Sequence, residues 1–155
     1  MAAELGPPPT DCAGPAPDPR PAVRFYGSLS GEKPVWAGIY AGYRPEQQAF
    51  HASDARRTKH GYRIKVLWIM HPRQRSPVTI EGRELGSGKP VFFDVGATGT
   101  PVRSADLDPK DPGTVPEHRW KEYPSYLFFS RAACYELEAS WAGGSWRRVF
   151  GFGRR

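Results

Sequence analysis

From Ala133 to Trp141 the chain alternates: Tyr135, Leu137, Ala139 and Trp141 fall on one phase, and Cys134, Glu136, Glu138 and Ser140 on the other. Successive side chains of an extended chain point to opposite sides, so this two-residue period builds one apolar and one wet face only as a β-strand. The same period runs through residues 77–85, where Val78, Ile80 and Gly82 oppose Thr79, Glu81 and Arg83, and returns in residues 145–152, where Trp146, Arg148 and Phe150 oppose Arg147 and Val149. No stretch reads as a helix, and 17 Gly with 17 Pro punctuate the chain into short pieces. Strands and turns are what such a composition favours.

About seven strands are predicted, at residues 33–42, 62–70, 77–85, 89–95, 123–130, 133–141 and 145–152. The run at 62–70 (YRIKVLWIM) begins half-polar and ends continuously apolar, which predicts a strand buried on both faces at its end and stopped by His71-Pro72. Gly86-Ser87-Gly88 is expected to fold 77–85 and 89–95 into a hairpin, and Ala142-Gly143-Gly144 to make a tight turn. Residues 43–61 and 96–122 show no apolar period and read as long loops. Short strands that each bury one or two large groups need a second sheet to cover them, so the expected fold is an all-β antiparallel sandwich. Every aromatic residue lies after residue 24, whereas residues 1–22 hold seven prolines and little that is large and apolar. A Pro-rich tail over 1–32, tethered or disordered, and one sandwich domain over 33–152 follow.

The formal charge is +6, and residues 44–75 alone carry eight bases (Arg44, Arg56, Arg57, Lys59, Arg63, Lys65, Arg73, Arg75) against Glu46 and Asp54. Arg56, Arg57, Lys59, Arg63 and Lys65 are the candidate anion-binding surface; the plainer account of the same residues is a solvated basic face. Trp36, Tyr40, Tyr62, Trp68, Trp141 and Trp146, beside Arg63, Lys65, Arg147 and Arg148, would form a platform for bases or sugars if several were exposed. Most are expected in the core, because a sandwich needs large groups inside.

Catalytic constellations are thin. His51, His60, His71 and His118 form no H-x-H or H-x₃-H pair, so a metal site would need the fold to assemble it. Asp106, Asp108 and Asp111 fail the calcium-loop pattern, since Lys110 takes a ligand position and no Gly follows. Ser125 lacks a histidine or acid at informative spacing, and Cys134 lacks an activating base. Glu136 and Glu138 lie about 7 Å apart by strand rise, which suits paired carboxylates but also an ordinary polar face. Gly86-Ser87-Gly88-Lys89 resembles a phosphate loop without the strand-loop-helix frame. No enzyme, metal or cofactor is expected.

The run Arg131-Ala132-Ala133-Cys134-Tyr135-Glu136-Leu137-Glu138-Ala139 resembles the small-x-Tyr-x-Leu entry to the penultimate strand of bacterial immunoglobulin-like domains. Residues 65–85 and 123–129 resemble matching stretches of exported actinobacterial proteins of that kind, so the likeness spans roughly residues 33–152. It implies an immunoglobulin-like sandwich, export and no particular activity. Tyr135 is then the structural tyrosine whose hydroxyl ties a loop to the strand. In an exported β domain two cysteines usually pair, so Cys12 and Cys134 are expected to form a disulfide closing roughly 120 residues, worth up to about 4.8 kcal/mol on the chain-entropy model; two unrelated thiols are the alternative.

No apolar run is long enough for a membrane span, and residues 1–22 do not read as a leader. The function expected is a non-catalytic module outside the cytoplasm, secreted or in the cell envelope, whose partner is an anionic polymer or another envelope protein. The alternatives are a cytosolic basic β-barrel that binds nucleic acid, and an envelope hydrolase or metal-binding protein.

Overall fold

The structure, a computed structural model, describes residues 4–14, 30–39, 43–44 and 47–154. Among them twelve strands form two six-stranded sheets. The first sheet holds β1 (Ser30–Glu32), β2 (Val35–Ile39), β5 (Arg56–Thr58), β6 (Gly61–Met70), β8 (Phe92–Val95) and β10 (Lys121–Phe129), in the order β1-β2-β6-β10-β8, with β5 also paired to β6. The second holds β3 (Tyr43–Arg44), β4 (Ala49–His51), β7 (Val78–Glu84), β9 (Ser104–Leu107), β11 (Ala133–Trp141) and β12 (Gly144–Gly153), in the order β3-β4-β12-β11-β7-β9. Pairing is antiparallel except between β4 and β12, which run parallel.

The two-residue period decides what faces inward. Ile64, Val66, Trp68 and Met70 of β6, with Tyr123, Leu127 and Phe129 of β10, meet Val78 and Ile80 of β7, Tyr135 and Leu137 of β11 and Trp146, Phe150 and Phe152 of β12 in one core. Phe129 is the hinge of that contact: its ring centroid lies 4.8 Å from Tyr135, 5.9 Å from Phe150 and 4.2 Å from Phe152, all on the opposite sheet. Trp146 Nε1 donates to the Val35 carbonyl at 3.2 Å, a second tie between sheets. A smaller cluster of Trp36, Ile69, Leu67 and Trp120 covers the outer face of the first sheet where β6 ends.

Each of the seven predicted strands is present, but the surroundings differ from expectation in three places. Residues 77–85 and 89–95 do not form a hairpin: β7 pairs with β11 and β9, and β8 pairs with β10 in the other sheet. The turn starts as a hairpin, with Glu84 N donating to Lys89 O and Val91 N to Gly82 O, both at 2.8 Å. Pro90 stands across from Arg83 at a position that needs no amide, and the ladder ends after Val91; Val91 and Phe93 are fully buried between the sheets, so the chain crosses over. The stretches read as loops contain β3, β4, β5 and β9, pieces of two to four residues that are too short to display a period. A boundary at residue 32 cuts a β-hairpin, since β1 pairs with β2 across it.

Residues 4–14 of the Pro-rich segment are clamped face-on to the second sheet; residues 15–29 lie outside the described residues. Cys12 and Cys134 are joined by a disulfide spanning 122 residues, and Leu5 reaches the main core. Between them the segment lies on a strip of β12 that lacks side chains. A Cβ on Gly151 would stand 1.9 Å from the Pro9 carbonyl oxygen, and one on Gly153 2.5 Å from the Gly6 oxygen. Arg154 N donates to that Gly6 oxygen at 2.7 Å. Proline presents a stiff backbone with few amides to satisfy, and glycine lets that backbone approach closely.

At the corner between β10 and β11 the Tyr135 hydroxyl donates to the Arg131 carbonyl at 2.7 Å and accepts from Arg131 N at 3.1 Å. Glu84, almost fully buried, takes Arg131 Nε at 2.9 Å and Nη2 at 2.5 Å, and Ser130 Oγ at 3.2 Å. The Arg131 guanidinium holds that carboxyl below the usual carboxylate range, against the upward push of burial.

Gly151→Ala should cost about 1–3 kcal/mol in urea denaturation of the oxidised protein, because a backbone atom must move. Gly6→Ala, which meets nothing within 4 Å, should stay within about 0.5 kcal/mol. Tyr135→Phe should cost about 1–2 kcal/mol, since it strands both polar groups of Arg131; an unchanged unfolding midpoint would show that water replaces the hydroxyl.

Candidate anion-binding face

The basic stretch divides when it folds. Arg44 goes to β3 in the second sheet, Arg73 and Arg75 to the turn after β6, and Arg56, Arg57, Lys59, Arg63 and Lys65 stay together on the β5–β6 hairpin. That hairpin turns through Lys59-His60. Thr58 Oγ1 donates to the Gly61 carbonyl at 2.8 Å and accepts from His60 N at 3.1 Å. Gly61 adopts φ +116°, and a Cβ there would lie 2.6 Å from Phe129 O, so no other residue fits.

Register places Arg56, Arg63 and Lys65 on the outer face of the first sheet, whereas Arg57, across from Tyr62, falls on the opposite phase and leaves the predicted surface. Arg56 stands directly across from Arg63; Phe128 is across from Arg63 on the other side, and Tyr126 across from Lys65. Phe92 and Asp94 of β8 continue those two rows. Like charges in direct register repel, and Arg56 and Lys65 make no ion pair among the described residues. Arg63 is the partial exception: its guanidinium lies over the Tyr126 ring, 4.5 Å from the centroid, a geometry that attracts a cation to the ring face.

Two grooves flank this pair. One, of about 820 Å³, has Lys65, Leu67, Pro124 and Tyr126 as its floor and Gly96-Ala97 and Gly113-Thr114 as walls. The other, of about 350 Å³, lies between the Lys59-His60 turn and the loop after β8, over Arg63, Tyr126 and Phe128. Ala97 borders both and adopts φ +53°, an uncommon conformation for a residue with a Cβ. The loop is held there by Asp94, whose carboxylate accepts Thr98 N at 2.8 Å, Thr98 Oγ1 at 2.7 Å and Gly99 N at 2.9 Å. Burial pushes the Asp94 carboxyl up, but these three donors outweigh it and hold it below its ordinary value.

The other candidates are dispersed. His51 bonds Gln47 at 2.7 Å, His71 packs edge-on to Trp120 at 5.0 Å, His118 accepts Trp120 N at 3.3 Å, and His60 packs against Phe128 at 5.9 Å. Asp106 accepts Thr79 Oγ1, and Asp108 caps Lys110 N. Among the described residues no three His, Cys, Asp or Glu side chains converge as a metal site would require. Glu136 and Glu138 pair with Arg83 and Arg147 at 3.4 and 2.7 Å. Ser125 is buried and donates to the Asp94 carbonyl. The 86–89 stretch is a turn, with Lys89 N donating to Ser87 Oγ and no helix following.

The aromatic platform is not where the ring positions placed it. Trp36, Trp68 and Trp146 are buried, Tyr62 and Trp141 pack against the core, and Tyr40 lies outside the described residues. Arg147 is paired with Glu138, and Arg148 is turned inward, bonding Glu32 at 3.1 Å. The rings that border the face are Tyr126 and Phe128. Their strand is apolar on both phases, so alternation gave no hint that they face outward.

No protein-family model matches the chain, and no curated protein matches it. Among solved structures, a candidate lipoprotein from Bacillus anthracis aligns with a TM-score of 0.46 at 11% identity, over 82% of this chain and 77% of that one. Among the described residues no helix is long and apolar enough to cross a membrane.

The Asp94 carboxyl titrates lower in the folded chain than in the unfolded one, so its stabilisation is complete above the unfolded value and is lost as pH falls through the folded one. Protection factors against hydrogen exchange at Thr98 and Gly99, taken relative to the intrinsic rate at each pH, should therefore be high near neutrality and fall in acid, and Asp94→Asn should show low protection at neutral pH. Equal protection in both proteins would remove Asp94 as the loop's anchor.

Proposed function

We propose that the protein is a non-catalytic, extracytoplasmic binding module of the immunoglobulin-like kind, and that it holds an anionic polymer on the outer face of its first sheet. The observation that carries this reading is the direct register of Arg56 with Arg63, with Lys65 beside them, between two grooves. A fold gains nothing from setting two guanidinium groups opposite each other, whereas a polyanion laid along the face neutralises both. The structural disulfide supports an oxidising compartment, where such bonds persist. The non-catalytic reading is supported by Glu136, Glu138 and the four histidines, each of which has a neighbour in the fold that accounts for its place. The Tyr135 corner supports the immunoglobulin-like relationship.

The test is fluorescence anisotropy with labelled polyglutamate, with single-stranded DNA of similar charge as a second arm. Binding to polyglutamate should weaken steeply with salt, and Arg63→Ala should lower the affinity about tenfold, the loss expected for one charge-assisted contact. Lys89→Ala, on the exposed turn between β7 and β8, should change nothing. Equal losses in the two variants would refute the face as the site. Binding to DNA alone would replace this reading by the nucleic-acid one.

A further inference from the structure

We propose a second anion site, separate from the sheet face: the groove of about 590 Å³ between the Pro-rich strap and the β5–β6 hairpin. Its ligand class is a compact dianion of phosphate size, free or as the end-group of a larger molecule. Three elements that are distant in sequence form its walls. The hairpin contributes Arg57 and Lys59, the β10–β11 corner contributes Arg131, and the strap contributes Glu4 to Gly6.

Arg131 is the preorganised member. Its Nε and Nη2 both bond the buried Glu84 carboxylate, which fixes the plane of the guanidinium, yet the side chain is 66% exposed. A guanidinium held along one edge keeps further N–H donors for a second oxyanion, and the fork loses little freedom in using them. Arg57 and Lys59 are exposed and make no ion pair among the described residues. Glu84 offsets the charge of Arg131, so the net attraction comes from Arg57 and Lys59, and Glu4 opposes it. Two uncompensated cations beside a positioned fork match a dianion better than a monoanion. Because the strap forms one wall and is pinned by Cys12–Cys134, the site is complete only in the oxidised protein. Arg57 and Glu4 take no part in the sheet face, so this site stands or falls independently of the polymer reading.

The experiment is a titration of the ¹⁵N-labelled, oxidised protein with inorganic phosphate, against sodium chloride at matched ionic strength and against acetate. The amides of Gly61, Arg131 and Ala132 should shift saturably with phosphate and bind acetate several-fold more weakly. Arg57→Gln should weaken phosphate at least fivefold, and Glu4→Gln should tighten it about two- to threefold, the effect of removing one like charge at a surface. Reduction that leaves the β-sheet circular-dichroism spectrum intact should also weaken it. No saturable shift, shifts confined to the amides of Arg63 and Tyr126, or an affinity indifferent to both substitutions would overturn the site. Unchanged affinity after reduction would overturn the strap as its wall.

Discussion

The contact of Phe129 with Tyr135, Phe150 and Phe152 holds the two sheets in register, and much of the remaining architecture is arranged around it. Phe129 ends β10, and two residues later the chain must reverse into β11 on the other sheet. That reversal would leave backbone groups of the corner without partners in a crowded place. The Tyr135 hydroxyl supplies a donor and an acceptor to Arg131, and Glu84 anchors the Arg131 side chain from β7. The ring that packs in the core and the hydroxyl that ties the corner belong to the same residue, so packing and turn geometry are set together.

The strap depends on the same corner. Cys134 immediately precedes Tyr135 on the outward phase of β11, and Gly151 stands across from it on β12. With Tyr135 fixed inward, Cys134 faces outward, and the neighbouring bare strip leaves room for a proline backbone. Replacing side chains by a laid-on chain segment covers the glycine strip of β12 and makes Leu5 part of the core, while the rest of that outer face carries the Arg83–Glu136 and Arg147–Glu138 pairs. A disulfide here does more than restrict the unfolded chain: it keeps a segment with little apolar content of its own against a surface shaped for it.

The first sheet is finished differently. Its outer face has an aromatic cluster at the end of β6 and a basic hairpin at the start, with the grooves between. The loop that walls the grooves is tied at its ends by Gly96 N on Pro124 O and by the Phe93–Val102 pair, and between them by the Asp94 carboxylate next to the left-handed Ala97. Strands carry the charges while a loop shapes the opening, a common division of labour in binding domains.

Alternation in 133–141 and 145–152, with glycine between, was sufficient to place β11 and β12 and their inward rings, because period two has only one extended solution. The basic run was legible as charge, and Tyr135 through its neighbours. What the chain could not announce was pairing. Arg56 meets Arg63 because a two-residue turn closes at Lys59-His60, and Arg63 meets Tyr126 because β10 happens to be the neighbour of β6. β8 leaves the apparent hairpin for the other sheet, and no local pattern distinguishes those outcomes, since both bury Val91 and Phe93. Local polarity therefore determined which residues are strands and which side of each strand is wet. The tertiary structure decided which wet sides adjoin, because contact between strands is set by long-range packing, where burial outweighs any preference of the connecting turn.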